Sequence, residues 1–510
     1  MPLQFECPAN VTAEKVIAQL EHEAVTQQLY QQSVCKTYYD SFDWRLYANG
    51  VSCEFNRTKL ASSVIVRAID TNQVIAETAL KDMPVFSQEF EPGLIRDTLA
   101  PLLDMRALMP LSSVDVVQHQ LAIIDDDEKI ILRLLLDEYG KLNTRILLQP
   151  VKGQRKTARH IAGYLMATLN VTATDKPILL AALHYDGRKP NDYSSKLNIN
   201  LAPDMRADIA SKYIYSHLLK ALKTNEAGTI ADIDSEFLHD FRVAVRRTRA
   251  GLSQIKGIFT DNIYAHYADF FAWLGQITGP TRDLDVYLLN FDRYKKSLPE
   301  AIKEDLNPLY DFLQAKQQKA QKELATKLQS PKYRAALAEW EQYLKEPCYT
   351  QALGHNAKLS IKELADKRLW KAFTRVLKEG QAITGTSEAE ALHHLRKSCK
   401  KLRYLMEFFQ SLYPETEIKR LIKNLKGLQE VLGDFQDYAV QEHTLKQFSD
   451  EMIALNIPAT TFLAMGVLIQ DLDAHRCNAR NDFAAHFDEF SRPENRTAFK
   501  LLLGEAKKPS

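Results

Sequence analysis

The chain has 510 residues, 45% hydrophobic and 26% charged, a globular composition with length for roughly two to four domains. Lys+Arg number 66 against 65 Asp+Glu, so the whole molecule exerts no general pull on polyanions, and any such binding must come from local patches. The six cysteines (Cys7, Cys35, Cys53, Cys348, Cys399, Cys477) are scattered with no C-x-x-C pair, which argues against a disulfide framework or a zinc site.

The N-terminus MPLQFECPANVTAEKV lacks the charged and apolar regions of a signal peptide. The longest apolar runs, such as FLAMGVLI at 462–469, are too short to span a bilayer. These features predict a soluble, cytoplasmic protein with no membrane partner.

Residues 1–200 read as an α+β domain built on an antiparallel sheet. Strands are predicted at SSVIVRAI (62–69), KIILRLLLD (129–137), NTRILLQP (143–150) and ILLAALHY (178–185). Helices are predicted at AEKVIAQLEHEAV (13–25) and TARHIAGYLMATL (157–169). The turn-rich, charged segment DGRKPNDYSSK (186–196) marks the boundary. From about Met205 the texture changes to long helical periodicities, so 201–510 is predicted to be all-α, a helical bundle.

The second half repeats itself. HDFRVAVRRTR begins at His239 and HHLRKSCKKLR at His393, 154 positions later. Both place His at 0, Arg at +3, basic residues at +7 and +8, and Arg at +10. Downstream, LGQITGPTRDLDV (274–286) matches LQEVLGDFQDYAV (428–440) at the same offset, pairing Gly279 with Gly433 and Asp283 with Asp437. Two blocks at one offset imply two copies of a helical unit, about 205–355 and 360–510.

On a helix the residues at 0, +3, +7 and +10 fall at about 0°, −60°, −20° and −80°, one narrow stripe. Phe241, Val245, Leu252 and Ile255, with Leu395, Cys399, Met406 and Phe409, lie on the opposite side and should face the core. A stripe of like charges is unfavourable by roughly 0.2–0.5 kcal/mol per neighbouring pair, a cost that a multivalent anion would turn into binding energy. The candidate phosphate-binding residues are therefore His239, Arg242, Arg246, Arg247 and Arg249, with His393, Arg396, Lys400, Lys401 and Arg403. Lys419, Lys423 and Lys426 on a further helix could extend the track. Gly279 and Gly433 are expected to end helices, and Asp283 and Asp437 to cap the next one or orient an arginine. No catalytic or metal-ligating set emerges, and no cofactor is expected.

The pattern His239-x-x-Arg242-x-x-x-Arg246-Arg247-x-Arg249, its second copy, and the two L-x-x-x-x-G-x-x-x-D blocks resemble the CHAD domain over about 205–510. That resemblance implies a two-fold helical bundle that binds inorganic polyphosphate through a basic surface, often at polyphosphate granules and among granule-associated proteins. Gln436 stands where the first copy has Arg282, and Lys400 and Lys401 replace two arginines.

The first half is similar to the CYTH triphosphate-tunnel family, which frequently precedes CHAD domains. YYDSFDWRLYANG (38–50) resembles that family's YYDT-x-x-x-x-L-x-x-x-G element. The family's catalytic E-x-E-x-K strand is absent, since this chain has Gln4-Phe5-Glu6-Cys7-Pro8, and SCEFN (52–56) carries no arginine, although Arg57 and Arg67 follow. A two-metal triphosphatase mechanism thereby loses its ligands. The expectation is a degenerate CYTH-like domain and a non-enzymatic binder of polyphosphate. The alternatives are a CYTH-type triphosphatase or polyphosphatase, and a nucleic-acid-binding protein; for the last, aromatic residues are sparse along the stripe, with only Tyr404 nearby.

Overall fold

A computed structural model describes residues 3–195, 197–347 and 353–503. The chain separates into two units, Met1–Ser195 and Lys196–Ser510.

The first unit contains, in order, β1 (Gln4–Glu6), α1 (Ala13–Glu23), β2 (Thr26–Asp40), α2 (Arg45–Ala48), β3 (Val51–Arg57), β4 (Ser62–Ala68) and β5 (Val74–Ala79). It continues with α3 (Leu94–Leu103), β6 (Met109–Ile124), β7 (Ile130–Tyr139), β8 (Arg145–Pro150), α4 (Arg155–Leu169), β9 (Thr172–Ala173) and α5 (Ile178–Tyr185). Among the described residues the strands form one nine-stranded sheet in the order β5-β4-β3-β2-β6-β7-β8-β1-β9, antiparallel throughout. Helices α1 and α4 bury Val16 and Leu20, and Ile161 and Leu165, at helical spacing against sheet residues Leu134, Leu136 and Ile146.

The stretch YYDSFDWRLYANG leads from the end of β2 through a turn into α2. Asp40 Oδ1 accepts from the amides of Ser41 and Leu46, and its Oδ2 from that of Tyr47, so the carboxylate caps α2. Trp44 holds a left-handed backbone (φ 64) and donates to Asp192 at 2.7 Å. The predicted strand ILLAALHY is the helix α5. Apart from Ile178 it contains no β-branched residue, Pro177 precedes its first turn, and its buried residues Leu179, Ala182 and Leu183 keep helical spacing.

Among the described residues the second unit is all helical apart from two isolated bridges: α6 (Ala207–Ala231), α7 (Ser235–Gln254), α8 (Asp261–Ile277), α9 (Gly279–Leu289), α10 (Phe291–Ser297) and α11 (Asn307–Leu328) come first. They are followed by α12 (Pro331–Lys345), α13 (Ile361–Gln381), α14 (Ala389–Phe409), α15 (Glu415–Ile453), α16 (Ala459–Ser491) and α17 (Pro493–Leu503). The helices α6, α7 and α8 begin 154 positions before α13, α14 and α15.

The copies meet around an approximate two-fold. Arg206 and Ser360, equivalent positions, form an antiparallel bridge. On either side of it the amide of Ala207 donates to the carbonyl of Leu359 at 2.9 Å, and the amide of Ile361 to that of Met205 at 2.7 Å. Each bond maps onto the other under the 154-residue shift.

The copies differ where α8 breaks into α9. Pro280 supplies no amide to Gln276 and crowds its carbonyl, so the helix restarts at Gly279. In the second copy Asp434 replaces that proline, and α15 runs unbroken past Gly433. Gly433 therefore does not end a helix, contrary to the expectation from sequence. Asp283 and Asp437 lie within α9 and α15 and cap neither.

Candidate functional site

Asp234 caps α7 by accepting from the amides of Glu236 and Phe237. From there the helix buries Phe241, Val245 and Leu252, while α14 buries Leu395, Cys399, Met406 and Phe409. All of these apolar positions face the core, so the basic stripes are turned away from it. The two helices pack against each other, and a pocket of about 360 Å³ opens between them and α8.

The pocket draws on both copies. Arg246 and Arg249 come from α7, and Lys397, Lys400 and Lys401 from α14, with no carboxylate in the lining. Arg246 and Lys400 are equivalent under the shift, as are Ala250 and Tyr404, so the pocket straddles the approximate two-fold. Burial, together with the cations of Arg396 and Arg246, pushes the Lys400 ammonium down to about 8, although Asp437 opposes the shift.

The remaining predicted residues surround this centre. Arg242 donates to Thr278 Oγ1 at 2.9 Å and to the carbonyl of Gly275 at 3.3 Å. Burial lowers its pKa, and Asp283 works against that. In the second copy Arg396 donates to Asp437 at 2.9 Å, while its buried Nε finds no hydrogen-bond partner. Of the two roles expected for these aspartates, orienting an arginine is the one observed for Asp437.

The histidines do not line the pocket. His239 Nδ1 faces Arg282 Nη2 at 3.0 Å, and a guanidinium only donates, so Nδ1 accepts. His393 Nδ1 faces Gln436 Oε1 at 2.8 Å, where the ring donates. The Arg-to-Gln exchange between copies thus selects opposite tautomers.

Arg247 and Arg403 are engaged in ion pairs with one carboxylate, Glu407, at 3.1 Å and 3.3 Å. Lys419 pairs with Glu415 one turn earlier, and Lys426 with Glu430 at 3.5 Å. Lys423 is exposed, and none of these three lysines lines the pocket.

Three contributors were not singled out from sequence. Lys397 stands where the first copy has Val243 and Glu407 where it has Ser253, so matching the copies passed over both, whereas Arg282 stood out as the counterpart of Gln436. Tyr264 lines the pocket from α8, outside both motif blocks.

Glycines shape the first copy's side. A Cβ on Gly275 would lie 2.7 Å from Arg249 Nη1, and one on Gly279 would lie 3.7 Å from Arg242 Nη1. At Gly275 the bare helix surface lets the Arg249 guanidinium lie across it, whereas a side chain at Gly279 would make only ordinary contact with Arg242.

In the first unit a smaller pocket of about 180 Å³ opens on the sheet, lined by Lys36, Glu54, Arg67, Asp137 and Arg145 among others. Three of its cations have an acidic partner: Arg67 meets Glu54 at 2.5 Å, Lys36 meets Asp137 at 3.5 Å, and Arg145 meets Glu6 at 2.7 Å; Lys176 also lines the pocket. Among the described residues no three His, Cys, Asp or Glu side chains are grouped closely enough to hold a metal ion. Nor is any described helix long and apolar enough to cross a membrane.

Residues 214–446 match the family model of the CHAD domain. Two uncharacterized proteins from Mycobacterium tuberculosis strains are 27% identical over 256 residues, which is 48% of this chain and 47% of theirs. The chain thus spans about half the length of the curated relatives it matches. A CHAD domain from the plant Ricinus communis aligns with 57% of this chain and 94% of its own at 24% identity and a TM-score of 0.49. An adenylyl cyclase of Hippeastrum, described as having a dominant triphosphatase activity, aligns with 38% of this chain and 98% of its own at 11% identity and a TM-score of 0.28.

Proposed function

Residues 214–446 are a CHAD domain, and on that premise we propose that the groove between α7 and α14 binds inorganic polyphosphate without catalysing its turnover. One observation carries this reading: five cations from two copies of a duplicated unit line a single pocket that holds no carboxylate. Such a cluster raises the energy of the free protein, and the Lys400 ammonium is depressed first by its burial and then by the neighbouring Arg396 and Arg246 cations. A chain of phosphates relieves it by placing an anionic oxygen between cations that otherwise repel. Arginine offers a planar fork to two oxygens and lysine a mobile point charge, so the pocket can follow an irregular flexible chain.

The first unit supports binding rather than hydrolysis in this reading. At its pocket Lys36, Arg67 and Arg145 are each engaged by a carboxylate, which occupies cations that would grip a triphosphate and carboxylates that would hold divalent ions.

The test is a titration of the full chain with long-chain polyphosphate over a range of salt. By the behaviour of single-stranded polyanions, release of counterions from about five contacts gives log K a slope of roughly −3 to −4 against log salt. Absence of binding, or binding indifferent to salt, would overturn the proposal. Single-stranded and duplex DNA serve as competitors, and tighter binding of either would favour a nucleic-acid ligand.

A further inference from the structure

The groove is more than a patch of charge. Along α8, Tyr264, Ala268 and Ala272 fall at i, i+4 and i+8, one face of the helix, and all three line the pocket. Ala250 and Leu252 of α7 and Tyr404 of α14 complete an apolar floor beneath the five cations. Tyr264 keeps 37% of its surface exposed.

The α8 part of this floor comes from the first copy only. The second copy's counterparts of Tyr264, Ala268 and Ala272 are Ile418, Ile422 and Lys426, of which Ile418 is buried. Ala250 likewise stands where the second copy has Tyr404, so alanines hold open on one side a space that larger residues occupy on the other.

An inorganic phosphate chain has no atom that gains from such a surface, because apolar burial rewards only apolar contact. A pocket of about 360 Å³ with an apolar floor and a few charged groups at its rim has the make-up of a small-molecule site. We propose that this groove takes a nucleoside polyphosphate, with its base against Tyr264 and the alanine trough and its phosphates among Arg246, Arg249 and Lys400. The inference rests on reading the groove as a polyanion site, and it adds an organic ligand class to it. Base-on-aromatic contact is sequence-tolerant, so the site selects for a base and a phosphate tail together rather than for one particular base.

Calorimetric titrations of the full chain with ATP, inorganic tripolyphosphate and long-chain polyphosphate, each measured separately without divalent metal, test this. ATP is expected to bind at least about tenfold more tightly than tripolyphosphate of similar charge. Tyr264→Ala and Ala268→Leu, which remove the platform and fill the trough, should each weaken ATP by about tenfold and tripolyphosphate by less than about twofold. ATP binding no more tightly than tripolyphosphate, or equal losses for both ligands in folded Tyr264→Ala and Ala268→Leu proteins, would overturn the inference and leave the polyphosphate reading standing. Binding of ATP without long-chain polyphosphate would overturn that reading and support this one. Failure of all three ligands to bind would overturn both.

Discussion

Arg247 and Glu407 hold each other across the boundary between the two copies, Nη2 to Oε2 at 3.1 Å, while Arg403 approaches the other carboxylate oxygen at 3.3 Å. The counterpart of Glu407 is Ser253, so this brace exists on one side of the approximate two-fold only. It withdraws two arginines from the basic stripe and converts them into structure.

Replacing Glu407 by Gln should release both guanidinium groups. Polyphosphate affinity is expected to rise by about three- to tenfold, with a steeper dependence on salt. Folding stability should fall by about 1–3 kcal/mol as the charge-assisted contacts are lost. Salt-resolved titration and denaturant melts of the one variant read both effects.

Removing Arg246 and Lys400 together, by alanine substitution, should weaken polyphosphate binding by well over about tenfold and flatten its salt dependence while helicity is retained. Alanine at Lys419 and Lys426, which are paired along their own helix and lie outside the pocket lining, should change affinity by less than about twofold. Equal losses in the two double variants would remove the pocket's special standing.

Affinity should fall as pH rises through about 8, where Lys400 loses its proton. The sign for folding is opposite. The unfolded chain keeps this lysine charged up to its ordinary value of 10.5, so between about 8 and that value the unfolded state binds more protons and the unliganded protein gains stability. Lys400→Arg should abolish the step in both profiles, measured by titration and by melting across pH 7 to 10.

Gly275→Ala should separate fold from site. The new methyl meets only the mobile end of Arg249, and alanine favours the helix by roughly 0.5–1 kcal/mol, so stability should be held or improved. The displaced guanidinium should weaken polyphosphate severalfold, visible in a titration beside a thermal melt.

Incubation with triphosphate and magnesium or manganese is expected to release no phosphate from the full chain. Release that Glu6→Ala abolishes would restore the first unit to catalysis. Glu6→Ala should also destabilise the first unit, because it leaves the largely buried Arg145 without its carboxylate partner.

The helical unit was largely readable because duplication writes each element twice. One 154-residue offset gave the register of α6, α7 and α8 against α13, α14 and α15, and the burial of Phe241 and Leu395 follows from the same phase. Residues that differ between copies were harder to see for the same reason: Lys397 and Glu407 matter where the repeat fails. The first unit was harder. Strand β2 opens with TQQLYQQ, whose polar residues carry no apolar alternation, and its pairing with β6 comes from across the sheet. In α5, a run of leucine and alanine could be buried as helix or strand, and no local signal but Pro177 chose between them.

The reciprocal bonds between Ala207 and Leu359 and between Ile361 and Met205 bear on how the helical unit melts. Each copy supplies the backbone partner that the other lacks, and one continuous apolar cluster includes Phe241 and Leu252 together with Leu395 and Phe409. Neither repeat is therefore a foldon in its own right, and the pair should lose hydrogen-exchange protection as one cooperative step. A single opening event then dismantles both walls of the groove together.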